Sequence, residues 1–375
     1  MKKLLKNKDA TQKWATILLV TVAFAVLYFM SNAGMISFTM SGELVRICVY
    51  ICLTVSLNLL VGVCGELSLG HASFMGVGIY AGVISASLLK DILPDPTMRL
   101  VACLLCGGLS AGAVGFVVGI PALRLRGDYL AIVTLAFGEI LRNILQNLYV
   151  GKDGGAVRVA FAAPDAEEPV WDTFFIKGSV GTNITPDNKI ATFLMGFLLV
   201  LFTLFVVFNI INSKEGRAIK AVRDNRIAAE SVGINVTAFR MKAFVISAAL
   251  AGMAGALYGL DQFKLSPTEM GYNKSIDILV YVVLGGLGNI FGSVISSVVL
   301  YMLPTLMQSF ATNGSGALAG AAEFLAKYRM ILYAVILIVM MICTWSPKVK
   351  GKIAAFTANI KAKLFRKKGE VAKDA

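Results

Sequence analysis

Two stretches place ionisable side chains inside otherwise apolar sequence. The first is CGELSLGH, residues 64–71, with Glu66, Ser68, Gly70 and His71; the second is the pair Glu139 and Arg142. A charged group at membrane depth is costly and marks a solute or proton route by default. His71 is the one histidine of the chain, which excludes a multi-histidine metal site and leaves a titrating role open. Its other reading is a polar residue that satisfies broken backbone. Glu139 and Arg142 stand at i and i+3, so they read either as a self-neutralising ion pair or as part of a pathway. Glu139 follows Asp128 by 11 residues, about 16 Å along a helix at 1.5 Å per residue and near a bilayer midplane. A third stretch, VLGGLGNIFG, sets Gly285, Gly286 and Gly288 in the middle of an apolar run. Irregular backbone at that depth survives only where protein or a water-filled cavity covers it. The candidate translocation residues are therefore Glu66, Ser68, Gly70, His71, Glu139, Arg142, Gly285, Gly286 and Gly288.

No other constellation suggests bond-making chemistry. There is no nucleophile with a histidine base, no metal-ligand cluster and no dinucleotide fingerprint. No GxxxxGK[ST] phosphate loop is present either, so any ATP site must lie on another polypeptide. Cys48, Cys52, Cys64, Cys103, Cys106 and Cys343 all lie in apolar spans and read as small buried hydrophobes rather than a disulfide framework.

The elements that position these residues are membrane spans. The 375 residues are 57% hydrophobic and only 15% charged, where soluble domains carry roughly a quarter charged residues. Runs close to the ~20 residues that cross a bilayer lie at 15–36, 44–63, 71–89, 99–120, 129–149, 190–211, 243–260, 277–303 and 330–345. The pattern predicts an all-α, polytopic transmembrane bundle of about 8–10 spans with discontinuous or re-entrant helices. The basic N-terminal stretch and the long run after it read as a retained first helix, since no small-x-small cleavage site closes it.

The net charge of +13 gathers at the two ends and in one loop, not on one face, so it speaks for a membrane rather than for nucleic acid. The positive-inside rule puts both termini in the cytoplasm. Residues 150–189 hold four basic and six acidic groups and read as outside, whereas 213–242 hold seven basic and three acidic groups and read as inside. The expected organisation is a basic cytoplasmic stretch 1–13, a permease domain 14–346 with a cytoplasmic loop 213–242, and a basic tail 347–375. Parity then requires the region 277–329 to cross an even number of times or not at all. Either the chain breaks at Gly285–Gly288 and returns, or a weak span follows in LMQSFATNGSGALAGAAEFLA. The two glycine breaks, at 64–71 and 285–288, share an apolar-Gly-Leu-Gly-apolar outline, as broken helices of inverted repeats would. Glycines four apart, at 78/82, 108/112, 115/119, 255/259 and 288/292, predict close helix packing inside the subunit.

The loop sequence GRAIKAVRDNRIAAESVG reads as one helix opened by Gly216 and closed by Gly233, with Thr237 capping the next. Arg226 and Glu230 stand one turn apart for pairing. Ile219, Val222, Ala229 and Val232 form a broken apolar stripe opposite Arg217, Lys220 and Asp224. Such a helix either lies among lipid headgroups or docks in a cytoplasmic partner.

AAESVG (Ala228, Ala229, Glu230, Gly233) resembles the Glu-Ala-Ala plus glycine loop by which permeases of ABC importers engage their ATPases, with the order changed and the spacing to glycine shortened. Four longer blocks, GELSLGHASFMGVGIYAG, LRLRGDYLAIVTLAFGEILRNIL, GRAIKAVRDNRIAAESVGINVTAFRMKAFVISAALAGMAGALYG and VLGGLGNIFGSVI, resemble in the same order the branched-chain amino-acid permease family, in its LivM-type branch. The likeness covers roughly residues 40–345. It implies an ATP-driven bacterial importer for leucine, isoleucine and valine in the inner membrane. The expected partners are a second homologous permease, two cytoplasmic ABC ATPases carrying ATP and Mg, and an extracytoplasmic solute-binding protein. The chain itself is expected to bind no cofactor or metal and to be no enzyme. The coupling residues so implied are Arg217, Lys220, Arg223, Ala228, Ala229, Glu230 and Gly233. A urea or short-amide importer of the same family and an ion-coupled secondary transporter working through Glu66, His71, Glu139 and Arg142 are the alternatives.

Overall fold

The computed structural model describes residues 16–30, 33, 38–125, 127–153, 156–161, 173–184, 188–313, 335 and 338. The basic ends 1–13 and 347–375, Cys343, the apolar run 330–345 (apart from residues 335 and 338) and most of the weak candidate span after Pro304 lie outside the described residues. The chain divides into two compact units, Met1–Met302 and Leu303–Ala375, and the architecture below is that of the first.

Among the described residues, six helices are long and apolar enough to cross a membrane. They are α2 (Phe38–Asn58, continued by a π-helical turn Leu59–Cys64), α3 (His71–Leu88), α4 (Pro96–Ala122), α5 (Asp128–Gln146), α6 (Phe193–Asn212) and α9 (Val236–Asp261). A shorter apolar helix, α1 (Thr16–Met30), precedes them. Between α6 and α9 lie two short polar helices, α7 (Lys214–Asp224) and α8 (Arg226–Ser231). After α9 come α10 (Tyr272–Gly285) and α11 (Ile290–Asn313).

Helix α9 is the centre. Its small residues run between α3 and α4 so closely that a Cβ at Gly78 would overlap the Gly252 carbonyl, and one at Gly255 would overlap that of Met75. On the other side, Gly107, Gly108, Gly112, Gly115 and Gly119 of α4 meet α9 between Met241 and Ala256. In lipid, where apolar surface alone does not drive association, backbone approach of this kind supplies dispersion contact. Most of the glycines four apart therefore pack within the subunit, whereas Gly292 folds back on Gly285 within the α10–α11 hairpin. Helix α2 covers α9 in the antiparallel sense, with Ser247 Oγ donating to the Ser56 carbonyl at 2.7 Å and Arg46 near Asp261 at 3.7 Å. Gly196 of α6 meets Cys48 of α2, and Phe24 of α1 stacks on Phe197 with centroids 3.8 Å apart.

The run 277–303 is broken, as its glycines predict. Helix α10 stops at Gly286 (φ 93°), Gly288 follows at φ 79°, and α11 returns antiparallel, with Ser296 Oγ donating to the Tyr281 carbonyl at 2.6 Å. The break and return expected of the first parity solution are present, while most of the segment on which the second rests lies outside the described residues. Helix α11 is antiparallel to α2, because Tyr301 donates to Glu43 at 2.6 Å at one end and Asn58 bonds Ser293 at the other. It follows that α2 and α10 run the same way, whereas helices related by inversion would run oppositely. The shared outline of the two breaks is not an inverted pair.

Opposite the α7–α8 end, the bundle carries a small sheet that its apolar pattern did not announce. Strands β1 (Tyr149–Asp153), β2 (Ala156–Ala160), β3 (Thr173–Lys177), β4 (Gly181–Asn183) and β5 (Lys264–Leu265) form the antiparallel order β2-β1-β3-β4-β5. It joins the α5–α6 connection to the segment after α9 through Thr182 opposite Leu265. Lys152 pairs with Asp91 of the α3–α4 turn at 3.3 Å.

Candidate functional site

The loop between α6 and α9 is two helices, not the single one its uninterrupted pattern predicts. Ser213, rather than Gly216, caps α7 by accepting from Gly216 N at 3.0 Å. Asn225 then turns extended (φ −155°, ψ 104°) and its side chain accepts from Ala228 N at 3.0 Å, opening α8. An asparagine side chain competes with the helical backbone for that N–H, so it caps more readily than it continues. Gly233 ends the unit with φ 81°, and Asn235, not Thr237, caps α9 through Ala238 N at 3.1 Å.

The apolar stripe of this loop divides in two. Ile219, Val222 and Ala229 are buried, the latter two in a small cluster with Val236 and Ile234. Val232, expected on the same stripe, is 75% exposed, and so is Ile227 at 77%. Among the described residues nothing covers these two β-branched side chains, Ile227 on α8 and Val232 just past its end. Among the implied coupling residues, Arg217, Arg223, Ala228, Glu230 and Gly233 are exposed, and Arg226 pairs with Glu230 at 2.9 Å as the spacing predicts. Ala229 faces inward and packs in that cluster. Lys220 is half-buried beside Gly288 and Asn289.

Arg223 is exposed, yet it reaches the bundle with one nitrogen. Its Nη1 donates to the Gly62 carbonyl at 2.8 Å, while Nε and Nη2 hold Asp224 Oδ1 at 3.1 and 3.0 Å. The Arg223 stem lies where a Cβ of Gly65 would be. Gly65, at φ 80°, closes the π turn and donates to the Leu60 carbonyl. Glu66 beyond it pairs with the buried Arg240 of α9, whose Nη1 also reaches the Leu123 carbonyl at 3.4 Å. Cys64, Gly65, Glu66, Gly127, Val222, Arg223, Arg226 and Arg240 line an open pocket of about 190 Å³.

The rest of the first break is tied down by side chains. Leu69 N donates to Thr134 Oγ1 at 3.1 Å, and Gly70 sits against the Thr134 carbonyl with no room for a Cβ. Ser68 and His71 are buried. His71 Nε2 lies 3.0 Å from Ser56 Oγ, and Ala72 N donates to Ser275 Oγ at 3.0 Å. Here the histidine bridges α2 and α3.

Asn58 joins the two breaks. Its Oδ1 accepts from Gly288 N at 2.8 Å, and its Nδ2 donates to Ser293 Oγ at 2.6 Å and to the Asn289 carbonyl at 3.3 Å. Gly62 lies against both Asn58 and Gly288 where no Cβ fits. Glu139 and Arg142 form their ion pair at 2.8 Å, away from this junction. Glu139 Oε1 also accepts from Tyr272 N at 3.2 Å. That supplies a carboxylate to an α10 N-terminus whose preceding residue, Gly271, has no side chain to cap with. The sequence-predicted residues thus fall into two groups, one around Arg223 and Asn58 and one at the start of α10. Asn58 and Arg240 were not singled out from the sequence. Asn58 could have been, as a lone amide inside the apolar run LTVSLNLL.

The family described as "Branched-chain amino acid transport system / permease component" matches residues 39–341. The chain belongs to this family. It is 33% identical over 371 residues to the high-affinity branched-chain amino acid transport system permease protein LivM of Salmonella typhimurium, covering 96% of this chain and 79% of that one. The LivM protein of Escherichia coli K12 is 34% identical over 334 residues, with 86% and 72% covered. LivH of Salmonella typhimurium is 25% identical over 268 residues, with 70% and 83% covered. No solved structure matches the chain. The permease is a polytopic helical membrane protein, and α7, α8 and the joined breaks lie within the residues the family matches.

Proposed function

We propose that this permease is one membrane subunit of an ATP-driven importer that carries leucine, isoleucine and valine across the inner membrane of a bacterium. The observation that carries the reading is family membership over residues 39–341, together with the transport named for the LivM and LivH relatives. A second, homologous permease completes the pathway, two cytoplasmic ABC ATPases bind and hydrolyse ATP with Mg, and an extracytoplasmic binding protein delivers the solute. The α7–α8 end and both termini face the cytoplasm, and the sheet faces outside. The basic face of 213–242 supports that orientation.

Helix α8 offers Ile227 and Val232 to a groove of the ATPase, with Arg217, Lys220, Ala228 and Glu230 around them. Closure of the ATPases on ATP carries α7 and α8 along, and the attached α6 and α9 rock the cavity from inward-facing to outward-facing. Branched apolar side chains buried in a partner groove contribute roughly 1.5–3 kcal/mol each, enough to hold the helix through the stroke. Glu66, Ser68, Gly70, His71 and Gly285–Gly288 line or support the solute's route, and Glu139 with Arg142 supports α10.

Purification from native membranes in mild detergent, followed by mass spectrometry, tests this reading. A second permease and two P-loop ATPases are the expected companions. Recovery of this chain alone, still moving solute without ATP, contradicts it and returns Glu139 and His71 to the role of ion-coupling groups.

A further inference from the structure

Arg223 was implied as a docking residue, and although its side chain is exposed, one end of its guanidinium, Nη1, reaches the first helix break. The carbonyl it holds, that of Gly62, belongs to a π-helical last turn, where terminal carbonyls lack intrahelical partners. Turns of this kind concentrate at functional positions because they are poised between registers. Asp224 fixes the other edge of the same planar group, so the bond to Gly62 is directional rather than a loose charge contact.

The path continues without a gap. Gly62 presses on Gly288 and Asn58, and Asn58 is fully buried with its amide committed to Gly288, Asn289 and Ser293. A buried, satisfied amide resists separation of its partners, since each unpaired group would cost about 1–3 kcal/mol. On its other side α7 leaves room, because Lys220, Asn212, Phe208, Gly288 and Asn289 border a cavity of about 130 Å³. Helix α7 is therefore pinned to the breaks at Arg223 and free to shift beside them at Lys220.

We propose that Arg223 and Asn58 are the positioning residues that tie α7 to both helix breaks, so that displacement of α7 moves the Gly62 turn and the Gly288 turn as one hinge. The inference rests on the reading of α7 and α8 as the ATPase platform. It assigns Arg223 to transmission within the subunit rather than to partner binding, and it makes the α10–α11 hairpin a driven element although it lies far along the chain from the loop.

The test uses the complete importer in liposomes, with leucine uptake and ATP hydrolysis measured together. A reporter, Leu287→Cys, is placed in the second break, where Leu287 is exposed, and its maleimide labelling is compared with and without trapped nucleotide. Arg223→Gln is expected to keep hydrolysis, to lower uptake per ATP about tenfold, a usual coupling magnitude, and to make Leu287→Cys labelling insensitive to nucleotide. Lys214→Ala, which removes one exposed positive charge from the same helix, is expected to change none of the three. Should Arg223→Gln fail to assemble, Ser293→Ala removes a single partner of Asn58 at little cost in volume and is expected to lower uptake per ATP and blunt the labelling response. Uptake per ATP and nucleotide-sensitive labelling equal to the unsubstituted importer, in Arg223→Gln or, where that variant fails to assemble, in Ser293→Ala, would overturn the proposal. Absence of ATP-driven uptake in the unsubstituted complex instead overturns the functional reading on which it stands.

Discussion

Gly115 and Gly112 stand three residues apart on α4, both facing α9, yet alanine at the two positions should act in opposite directions. At Gly115 a Cβ would lie 2.7 Å from the Cβ of Ala248, an atom fixed to the α9 backbone that cannot swing aside. To reach ordinary contact, near 3.6 Å, the helices must part by about 0.9 Å, and gaps of 0.5–1 Å forfeit a quarter to a half of each dispersion well along the seam. Overpacking of this kind costs about 1–3 kcal/mol. Relief of glycine's unfavourable helix propensity returns at most about 1 kcal/mol, so Gly115→Ala should destabilise by about 1 kcal/mol. At Gly112 the nearest neighbour, Ala249 Cβ, is at 3.4 Å, and Gly112→Ala should stabilise by up to about 1 kcal/mol through propensity alone. Reversible unfolding in mixed micelles titrated with dodecyl sulfate measures both. The double variant Gly115→Ala with Ala248→Gly should recover part of the loss, because it moves the methyl from one side of the contact to the other. Equal shifts for Gly115→Ala and Gly112→Ala, or no rescue by the double variant, would refute close backbone approach as the basis of the α4–α9 contact.

Ile227→Asp together with Val232→Asp should abolish capture of the ATPases while leaving the permease in the membrane, and co-purification from solubilised membranes reads it; undiminished capture would remove α8 from the docking face. Charge reversal at Arg217 and Lys220 should uncouple hydrolysis from uptake, a result that normal uptake per ATP would exclude. Glu139→Gln leaves Arg142 without its counter-ion and weakens the cap on Tyr272 N, and should destabilise the fold by about 1–3 kcal/mol. The pair Glu139→Gln with Arg142→Gln should recover much of that in the same unfolding titration; equal transport by the stable double variant would assign the pair to structure alone. Lys152→Ala, which breaks an exposed pair with Asp91, should cost less than about 1 kcal/mol.

The spans were legible because apolar runs of about 20 residues have few other uses, and the second break because three glycines cannot sit in a helix core without reason. The division of the loop was hidden by its own composition: Ala, Ile, Arg and Glu continue across Asn225, and only that side chain's bond to Ala228 N turns the chain. Val232 was placed on the buried stripe by assuming one continuous helix; once α7 and α8 separate, the phase changes and it faces outward. Strands such as TFFIK and YVGKD are 5 residues long and owe their register to partners distant in sequence, including Leu265 across from Thr182. Polar pairings such as Asn58 with Gly288 and Arg240 with Glu66 join residues far apart in the chain, which local pattern does not reveal.

The most direct measurement is uptake of labelled leucine into liposomes that hold this permease with its second permease, both ATPases and the binding protein, with ATP inside and no ion gradient. Leucine should accumulate only with internal ATP and the binding protein, and unlabelled isoleucine and valine should compete while urea does not. Accumulation that follows an imposed proton or sodium gradient and ignores ATP would contradict the reading of α7 and α8 as an ATP-driven coupling platform, and uptake of urea in place of leucine would contradict the assigned substrate.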